Sequence, residues 1–495
     1  MSVIDKQWTE RQQHYVAGQW LKGPDARLAL VNPYTEKVFG YAPLGDAALV
    51  DKAVDAAQSA QTAWAALPAQ ARAQWLRRLL EALLPQGELI SQLISREMGA
   101  PISFCRSNQA RSGFAALQSY GEMATRVQRL EQIANSVVLR EAAGVAGLIS
   151  AWNYPFFLAL GKVSPALLAG CTVVLKPSDA TPLSLYLLAD AAHHIGLPPG
   201  VFNLVHGTGA DVGEAISGHM GIDVVSYTGS IMIGKRVMER AAVNVKRVAL
   251  ELGGKSAAIV LPGADLNQAV QKTVDDCMKN AGQTCIAITR LVLPRARMDE
   301  AAALAKQYAA NYRLGDPSDD ATTMGPLANA RQYERVRAFI ATGIEEGAQL
   351  VSGGLARPAG LNRGYFVQPT VFRDVDTSST IAQQEIFGPV LSLISYDDVD
   401  HAVAIANGTV HGLNGGVYAA DDTQALAVAR RMRCGKVDIN GGLFNLNAPA
   451  GGVKQSGIGR ERGPHAIDEY MEMKSLQFTT PEAASDYIQQ QAVAE

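Results

Sequence analysis

The tetrapeptide GQTC ends in Cys285 and follows a stretch of helical pattern, so the thiol is expected in a tight loop. Cysteine is the best neutral-pH nucleophile among side chains once its pKa is lowered. A free cysteine is more commonly a small buried hydrophobic residue, and the motif alone leaves both interpretations open. The five cysteines are widely spaced and contain no CxxC pair, which indicates neither a disulfide framework nor a metal site.

Two further motifs carry groups that a thiol nucleophile needs. In ELGGK, Glu251 precedes two glycines and has the chemistry of a general base. In AWNYPF, Asn153 offers an amide N–H that stabilises a developing oxyanion. Each motif alone also fits a plain turn, with Glu251 on the surface and Pro155 at the start of the next helix.

Several loops offer polar groups of the kind that bind a nucleotide. In KPSD, Lys176 is a donor to hydroxyls or phosphate, while Asp179 suits a ribose 2′-hydroxyl and repels a 2′-phosphate. GTGADVG reads G-x-G-x-x-x-G, a weak match to a dinucleotide fingerprint. In YTGS, Ser230 stands at an expected helix N-terminus, which fits an anion site and a simple cap equally. EIFGP adds the carboxylate of Glu385 and an aromatic ring.

Short β-rich runs alternate with amphipathic stretches between residues 144 and 260, and the loops KPSD, GTGADVG and YTGS each follow one of these runs. The runs are VAGLIS, CTVVL, VFNLV, VVSY and SAAIV. Such alternation predicts βαβ units and a parallel sheet. Because ligands of open α/β sheets bind at the carboxyl ends of the strands, these loops are expected to share one crevice.

The remaining segments are predicted from periodicity and composition. A helical pattern begins after Asp46, a plausible N-cap, and further helical stretches reach about Leu130. A second α/β segment covers 254–453, and the Gly-rich run NAPAGGVKQSGIGRERG is a loop by composition. Near the C-terminus, SLQFTT is a possible edge strand after a helix.

Length and charge limit the class of protein. A chain of 495 residues exceeds one hydrophobic core, which predicts two or three domains. The net charge of −3 gives no indication of a nucleic-acid or anionic-membrane partner. The polar start and the absence of a long uninterrupted apolar run predict neither a signal peptide nor a membrane span, and a cytoplasmic location fits best.

Taken together, the motifs resemble those of the aldehyde dehydrogenase superfamily, of the NAD(P)-dependent, hydrolytic, non-acylating type. GQTC, ELGGK, WNYPF, LKPSD, YTGS, EIFGP and KQSGIGRE occur in the family's order and spacing, across nearly the whole chain. The resemblance implies an α/β fold with a Rossmann-like cofactor domain, an α/β catalytic domain and a small β oligomerisation element. The implied ranges are 1–119 with 142–253 for the cofactor domain, 254–453 for the catalytic domain, and 120–141 with 454–495 for the oligomerisation element and tail.

By this resemblance, Cys285 attacks the aldehyde, Asn153 and the Cys285 backbone N–H hold the oxyanion, and Glu251 activates the water that cleaves the thioester. The cofactor is expected to be NAD, with NADP possible. The implied cofactor-binding residues are Ile149, Ser150, Trp152, Lys176, Ser178, Asp179, Gly209, Gly213, Gly229, Ser230, Ile233, Leu252, Glu385 and Phe387. The implied substrate-pocket residues are Tyr154, Phe157, Gly161, Thr284, Ile286, Phe444 and Ala450. Lys162 and Glu461 match positions assigned to a proton relay in some relatives, and a structural ion pair explains them equally well.

Three positions depart from the family pattern. Asp179 stands where the family usually has Glu, which still favours NAD but weakens the exclusion of NADP. Gly161 and Ala450 replace aromatic residues that usually line the aldehyde channel, and each large ring covers roughly 150–250 Å². No Lys or Arg is expected at the pocket positions. We therefore expect a bulky, uncharged substrate, such as an aromatic or long-chain aldehyde, unless neighbouring side chains fill the two positions.

Other functions remain open at this point. A CoA-acylating semialdehyde dehydrogenase is the nearest alternative, although Glu251 argues against it because no water needs activation there. A non-catalytic binding protein on the same fold, or a thioesterase or esterase using Cys285 alone, are further alternatives. An exposed strand edge in the oligomerisation element predicts a homodimer or homotetramer.

Overall fold

The computed structural model describes residues 4–127 and 130–494. Residues 1–3, 128, 129 and 495, which the predicted domain ranges include, lie outside the described residues. The strands are β1 (His14–Val16), β2 (Gln19–Leu21), β3 (Arg27–Asn32), β4 (Lys37–Pro43), β5 (Glu131–Ile133), β6 (Ser136–Ala142), β7 (Val145–Ile149), β8 (Thr172–Lys176), β9 (Phe202–Leu204), β10 (Val224–Thr228), β11 (Arg247–Glu251), β12 (Ser256–Val260), β13 (Ile288–Pro294), β14 (Gln349–Ser352), β15 (Thr370–Arg373), β16 (Val390–Tyr396), β17 (Asn414–Tyr418), β18 (Lys436–Ile439), β19 (Gly457–Ile458) and β20 (Met471–Gln477). The α-helices are α1 (Lys6–Thr9), α2 (Ala47–Ala65), α3 (Ala69–Leu83), α4 (Gly87–Met98), α5 (Ile102–Phe104), α6 (Arg111–Gly121), α7 (Pro155–Ala169), α8 (Leu183–His194), α9 (Glu214–Gly218), α10 (Ile231–Ala241), α11 (Leu266–Met278), α12 (Met298–Ala309), α13 (Ala330–Glu345), α14 (Thr380–Gln383), α15 (Val399–Asn407), α16 (Asp422–Ala429), α17 (Gly463–Asp468) and α18 (Pro481–Ala494).

The first sheet has the strand order β19–β11–β10–β7–β8–β9–β1–β2, and β11, β10, β7, β8 and β9 are parallel. Side chains alternate between the two faces: Leu148 and Leu175 pack with α7 and α8, while Ile149 and Val174 pack with α2 and α10. Helices on both faces explain why these strands read as continuous apolar runs. The predicted parallel sheet is confirmed.

The second sheet has the order β14–β15–β16–β13–β12–β17–β18, parallel except for the pair β14–β15. Its strands form a core with α11, α12 and α15. The run SAAIV forms β12 as predicted, but it belongs to this sheet rather than to the first. The segment between β11 and β12, which contains the ELGGK glycines, therefore connects the two sheets.

Asp46 caps α2 as predicted, because its side chain accepts a hydrogen bond of 2.9 Å from the Leu49 backbone N–H. No element was predicted before Asp46, whereas the structure has β1 to β4 there. The strands β1 and β2 have three residues each, and β1 is supported by a distant partner, since its Tyr15 pairs with Leu204 of β9. The strands β3 and β4 pair only with each other and are largely unburied, so they form no apolar run.

The third sheet has the order β20–β6–β5 and is antiparallel. The run SLQFTT overlaps β20, which follows α17 and pairs with β6 alone, so the predicted edge strand is confirmed. The helix α18 beyond it was not predicted. The Gly-rich tail is mainly loop, but its Gly457 pairs with Glu251 and adds β19 to the first sheet. The division into domains stays a prediction.

Candidate active site

Cys285 lies in a strained turn between α11 and β13. Asn280 and Ala281 have φ angles of 57° and 54°, and Gly282 follows with a φ of 73°. A Cβ at Gly282 would stand 2.1 Å from backbone atoms of Gly388, so only glycine fits this turn. The Gln283 side chain closes the turn by donating to the Asn280 carbonyl over 3.0 Å. The turn leaves the Cys285 thiol partly accessible.

Asn153 follows β7 and immediately precedes α7, which Pro155 begins as predicted. Its side-chain Nδ2 donates to the Gln283 carbonyl over 3.0 Å, and its own carbonyl accepts from Gln109 Nε2 over 2.9 Å. The residue is 4% exposed. These bonds hold the buried amide against the loop that carries Cys285, and Nδ2 has a second proton for a ligand.

Glu251 ends β11, and its backbone carbonyl accepts from the Gly229 N–H over 3.0 Å. Its carboxyl Oε1 is buried and has no hydrogen-bond partner among the described residues. Burial, followed by the neighbouring charge of Glu461, raises the pKa of Glu251 well above its ordinary value. A raised pKa makes the carboxylate a stronger base than an exposed glutamate.

Two cavities meet at Cys285. The front cavity has a volume of about 430 Å³, within the range typical of ligand sites, and Asn153 and Cys285 both line it. The rear cavity has a volume of about 30 Å³, which is enough for a water molecule, and Cys285 and Glu251 both line it. The structure thus gives the Cys285 thiol one cavity shared with Asn153 and another shared with Glu251, as predicted catalytic partners.

The predicted pocket residues divide between these spaces. Those that line the front cavity are Tyr154, Phe157, Thr284, Ile286 and Phe444. Gly161 instead borders a separate recess of about 10 Å³, together with Phe157. Ala450 borders the rear cavity and a further space of about 290 Å³, which shares Phe444 and Arg462 with the lining of the front cavity. That Gly161 and Ala450 widen the space for the substrate stays a prediction.

The front cavity also corrects the expectation that no Lys or Arg reaches the pocket. Arg462 lines it, and the guanidinium carbon lies 5.1 Å from the Phe157 ring centre and 4.7 Å from that of Phe444. Sequence analysis missed Arg462, although it directly follows Glu461 in the Gly-rich loop. The only indication in the sequence is that this charged residue directly follows the motif KQSGIGRE.

Lys162 and Glu461 form an ion pair behind Glu251. Lys162 is fully buried and also donates to Ser226 Oγ over 2.7 Å. The pair neutralises two buried charges, so its geometry satisfies a structural role and leaves the proton-relay interpretation untested.

The predicted cofactor residues of the first sheet follow the carboxyl ends of its parallel strands, at one edge. They are Ile149, Ser150, Trp152, Lys176, Ser178, Asp179, Gly209, Gly213, Gly229, Ser230, Ile233 and Leu252. Lys176 is 3% exposed, and its Nζ lies 2.6 Å from Asp179 Oδ1. A Cβ at Gly209 would meet no atom within 4 Å, so the backbone there borders open space. Ser230 caps α10 by accepting from the Ile233 N–H.

Glu385 and Phe387 reach the same region from the catalytic side. Glu385 Oε1 accepts from the Gly254 N–H over 3.0 Å, and burial raises its pKa to about 7. The Phe387 ring meets Trp152 edge to face, with 5.3 Å between ring centres. These contacts join a carboxylate and an aromatic ring of the second sheet's side to residues that follow the strands of the first sheet.

The model of the aldehyde dehydrogenase family matches residues 20–476, almost the entire chain. The chain belongs to this family. As a member of the aldehyde dehydrogenase family, it is an oxidoreductase that acts on the aldehyde group. Among the described residues, no helix has the length and apolar character needed to cross a membrane.

Individual aldehyde dehydrogenases extend this similarity over full-length chains. A 3-succinoylsemialdehyde-pyridine dehydrogenase from a Pseudomonas species is 43% identical over 467 residues, which cover 94% of this chain and 98% of the relative. The crystal structure of a cysteine-to-alanine mutant of aldehyde dehydrogenase C from Pseudomonas syringae, with NAD+ and octanal, has a TM-score of 0.94, 44% identity and coverage of 96% and 98%. A Mycobacterium tuberculosis aldehyde dehydrogenase with NAD+ has a TM-score of 0.93, 40% identity and coverage of 95% and 99%. The predicted fold class is confirmed.

Proposed function

We propose that this protein oxidises an aldehyde to the carboxylic acid with NAD+ as the hydride acceptor and Cys285 as the nucleophile. The observation that carries the proposal is the position of the thiol between two cavities. The front cavity suits an aldehyde beside Asn153, and the rear cavity suits a water beside Glu251. A covalent two-step reaction needs both spaces on either side of one thiol.

The first step is the addition of the Cys285 thiolate to the aldehyde carbon, which forms a C–S bond and an oxyanion. Asn153 Nδ2 and the Cys285 N–H are the donors for that oxygen. Bound NAD+ would accept the hydride that leaves the same carbon. The acyl group then remains bound to Cys285 as a thioester. Glu251 then removes a proton from water, the new hydroxyl adds to the acyl carbon, and the C–S bond breaks to release the carboxylic acid.

The thiol needs a proton acceptor before it can attack. Burial and the charge of Glu385 raise the pKa of Cys285 to about 12, whereas the Arg462 charge acts in the opposite direction. Glu251 lines the rear cavity with Cys285, its carboxyl Oε1 has no hydrogen-bond partner among the described residues, and it has the chemistry to take this proton. Glu251 releases the proton to solvent before the second step, in which it serves as the base for water.

The residues of the crevice fit a dinucleotide. The open backbone at Gly209 and the free N–H groups at the start of α10 suit the pyrophosphate. The side chain of Asp179 is 46% exposed, which leaves it available to the ribose hydroxyls and unfavourable to a 2′-phosphate. NAD+ in two of the similar crystal structures supports this cofactor. Use of NADP is expected to be weaker.

We further propose a bulky substrate, with an aromatic or long apolar chain. The volume of the front cavity and its walls, formed by Phe157, Leu158 and Phe444, support this class. Octanal in the similar Pseudomonas syringae structure also supports it. Arg462 removes the original reason for restricting the substrate to uncharged aldehydes.

The three-stranded sheet supports association of subunits. One edge of β20 has no partner strand within the described residues, and Met473 on this strand is 74% exposed. An open edge of this kind pairs readily with another chain. A homodimer or homotetramer, built on the predicted oligomerisation element, is therefore part of the proposal.

The direct test is aldehyde-dependent formation of NADH, measured beside Cys285→Ala. We expect the variant to lose the activity and to keep NAD+ binding in a calorimetric titration. Cys434→Ala is the matched control, since Cys434 is another partly accessible thiol and lines neither cavity. Retention of the wild-type rate by Cys285→Ala would contradict the proposal.

Product analysis separates the alternatives. Release of the free acid without CoA supports the hydrolytic reaction, while an acyl-CoA that forms only with CoA would establish the acylating one. A chain that binds aldehyde and NAD+ without turnover would be a binding protein. Ester hydrolysis by Cys285 without cofactor is expected as a side activity at most.

A further inference from the structure

Arg462 borders several spaces of the proposed site at once. Its side chain lines the front cavity, the rear cavity and the recess beside Gly161, so it stands where these spaces adjoin. Within residues 4–127 and 130–494, the guanidinium forms no ion pair and donates no hydrogen bond to a protein oxygen. The adjacent carboxylate, Glu461, is engaged with the buried Lys162 instead. A partly buried cation is thus left without a protein acceptor.

Two aromatic rings hold the guanidinium in place. Its central carbon lies within cation–π distance of both Phe157, at 5.1 Å, and Phe444, at 4.7 Å. Contacts of this kind involve ring faces and leave the N–H groups of a guanidinium unused. These N–H groups need oxygen acceptors, which the aromatic rings do not offer.

The carboxylates that line the front cavity are already paired, whereas the lysines Lys272 and Lys279 of this lining are exposed. Asp438 lies 2.8 Å from Lys436 Nζ, and Asp275 accepts a hydrogen bond from the Tyr312 hydroxyl. Asp276 accepts from the Ile288 N–H over 2.7 Å. These carboxylates therefore have partners of their own.

We propose that Arg462 is a specificity-determining residue that binds a carboxylate or ketone oxygen on the chain of the aldehyde, beyond the reacting carbon. The proposal rests on the proposed function and names a substrate class for it. The apolar walls would hold the carbon chain, and the guanidinium would donate one or two charge-assisted hydrogen bonds to the oxygen. The preferred substrate is then a keto-aldehyde or a semialdehyde rather than a plain alkanal.

The test compares aldehydes of equal chain length: hexanal, a keto derivative of hexanal and the corresponding ω-carboxy aldehyde, with analogues shorter or longer by one or two carbons. The measured quantity is the ratio of kcat/KM for each oxygen-bearing aldehyde to that for the plain one. Any effect of Arg462 on the reactivity of the Cys285 thiol changes kcat/KM for both aldehydes equally, so it cancels in this ratio. We expect Arg462→Met to lower the ratio by about tenfold or more, the size of a lost charge-assisted hydrogen bond.

Two further variants complete the test. Arg462→Lys keeps the charge but lacks the planar fork, so it should retain part of the preference for the carboxylate and lose the preference for the ketone. Arg433→Met is the matched control, because Arg433 is an exposed arginine that lines neither the front nor the rear cavity, and its ratio should equal that of the wild type. A larger effect on the carboxylate than on the ketone identifies a semialdehyde, and the reverse identifies a keto-aldehyde.

The inference is overturned if wild type and Arg462→Met oxidise all the aldehydes with the same ratios. Should Arg462→Met not fold, the unchanged ratios in Arg462→Lys would overturn it equally. Failure of the wild type to oxidise any aldehyde with NAD+ would instead refute the proposed function, so the two failures are distinguishable.

Discussion

The side-chain amide of Asn153 donates a 3.0 Å hydrogen bond to the backbone carbonyl of Gln283, a residue 130 positions further along the chain. This bond joins the end of β7 in the first sheet to the loop before β13 in the second. It orients the amide beside Cys285, because Gln283 is separated from Cys285 by one residue. The oxyanion donor and the nucleophile thus share one rigid connection.

Replacement of Asn153 by Ala should lower kcat by about a hundredfold or more, the usual effect of removing an oxyanion donor. It should also lower the free energy of unfolding by about 1 kcal/mol, since the Gln283 carbonyl loses one of its two side-chain donors and keeps Asn280 Nδ2 at 3.3 Å. Steady-state kinetics and chemical denaturation measure the two effects. A normal kcat in a folded variant would show that the amide does not hold the reacting oxygen.

Glu251→Gln should separate the two halves of the reaction. The glutamine has a similar shape and lacks the basicity to activate water, so the thioester should accumulate. Because the variant also lacks the base for the thiol, the assay is run at alkaline pH, where a larger fraction of Cys285 is ionised. We then expect a burst of about one NADH per active site, followed by slow turnover. Mass spectrometry should detect the acyl group on Cys285. Normal steady-state turnover would exclude Glu251 as the required base.

The pH dependence should respond to Glu461. Burial first, and the negative charge of Glu461 second, raise the pKa of Glu251, while Lys162 lowers it. Glu461→Gln removes the negative charge that raises the pKa of Glu251. It also leaves the positive charge of Lys162 without its ion-pair partner, so both changes lower the pKa of Glu251. A base with a lower pKa stays ionised at lower pH, and the acid limb of the kcat profile should move to lower pH. A shift to higher pH would contradict this assignment, and a melting curve would check the fold.

Asp179→Ser should make NADP a better cofactor and NAD a poorer one. The substitution removes a charge that repels a 2′-phosphate, and it frees Lys176, whose Nζ lies 2.6 Å from Asp179 Oδ1. We expect the ratio of kcat/KM for NAD to that for NADP to fall by about tenfold, a typical value for a lost charge-assisted contact. Asp211→Ser offers a control, as Asp211 is an exposed acid in the neighbouring loop. An unchanged ratio would mean that Asp179 does not contact the adenosine ribose.

The strands of the first sheet were predictable because both of their faces are buried, which produces apolar runs that a linear pattern reveals. The strands before Asp46 were not, since β1 depends on pairing with the distant β9, and β3 and β4 are too exposed to form apolar runs. The same distinction applies within the site. The motifs that contain Cys285, Glu251 and Asn153 are local and legible, whereas the positive φ angles at Asn280 and Ala281 depend on the surrounding packing.

Local sequence does not determine the walls of the substrate pocket. Gly161 and Ala450 suggest a widened pocket because aromatic residues usually occupy those positions, and the structure puts Gly161 at a recess that it shares with Phe157 of the front cavity. Arg462 lies within cation–π distance of Phe157, which is about three hundred positions away in sequence. A pocket wall is formed by residues from several elements, so its shape is a property of their packing.

The amino-acid sequence by itself determined the chemical groups of this protein: a thiol, a carboxylate and an amide in recognisable local motifs, and loops at the ends of parallel strands. These follow from residue type and short-range pattern. The tertiary structure alone decided that the thiol stands between two cavities, that Glu251 Oε1 is buried without a hydrogen-bond partner among the described residues, and that Arg462 lines the front cavity. Burial and the approach of residues distant in sequence arise only when the two sheets and the Gly-rich tail pack together.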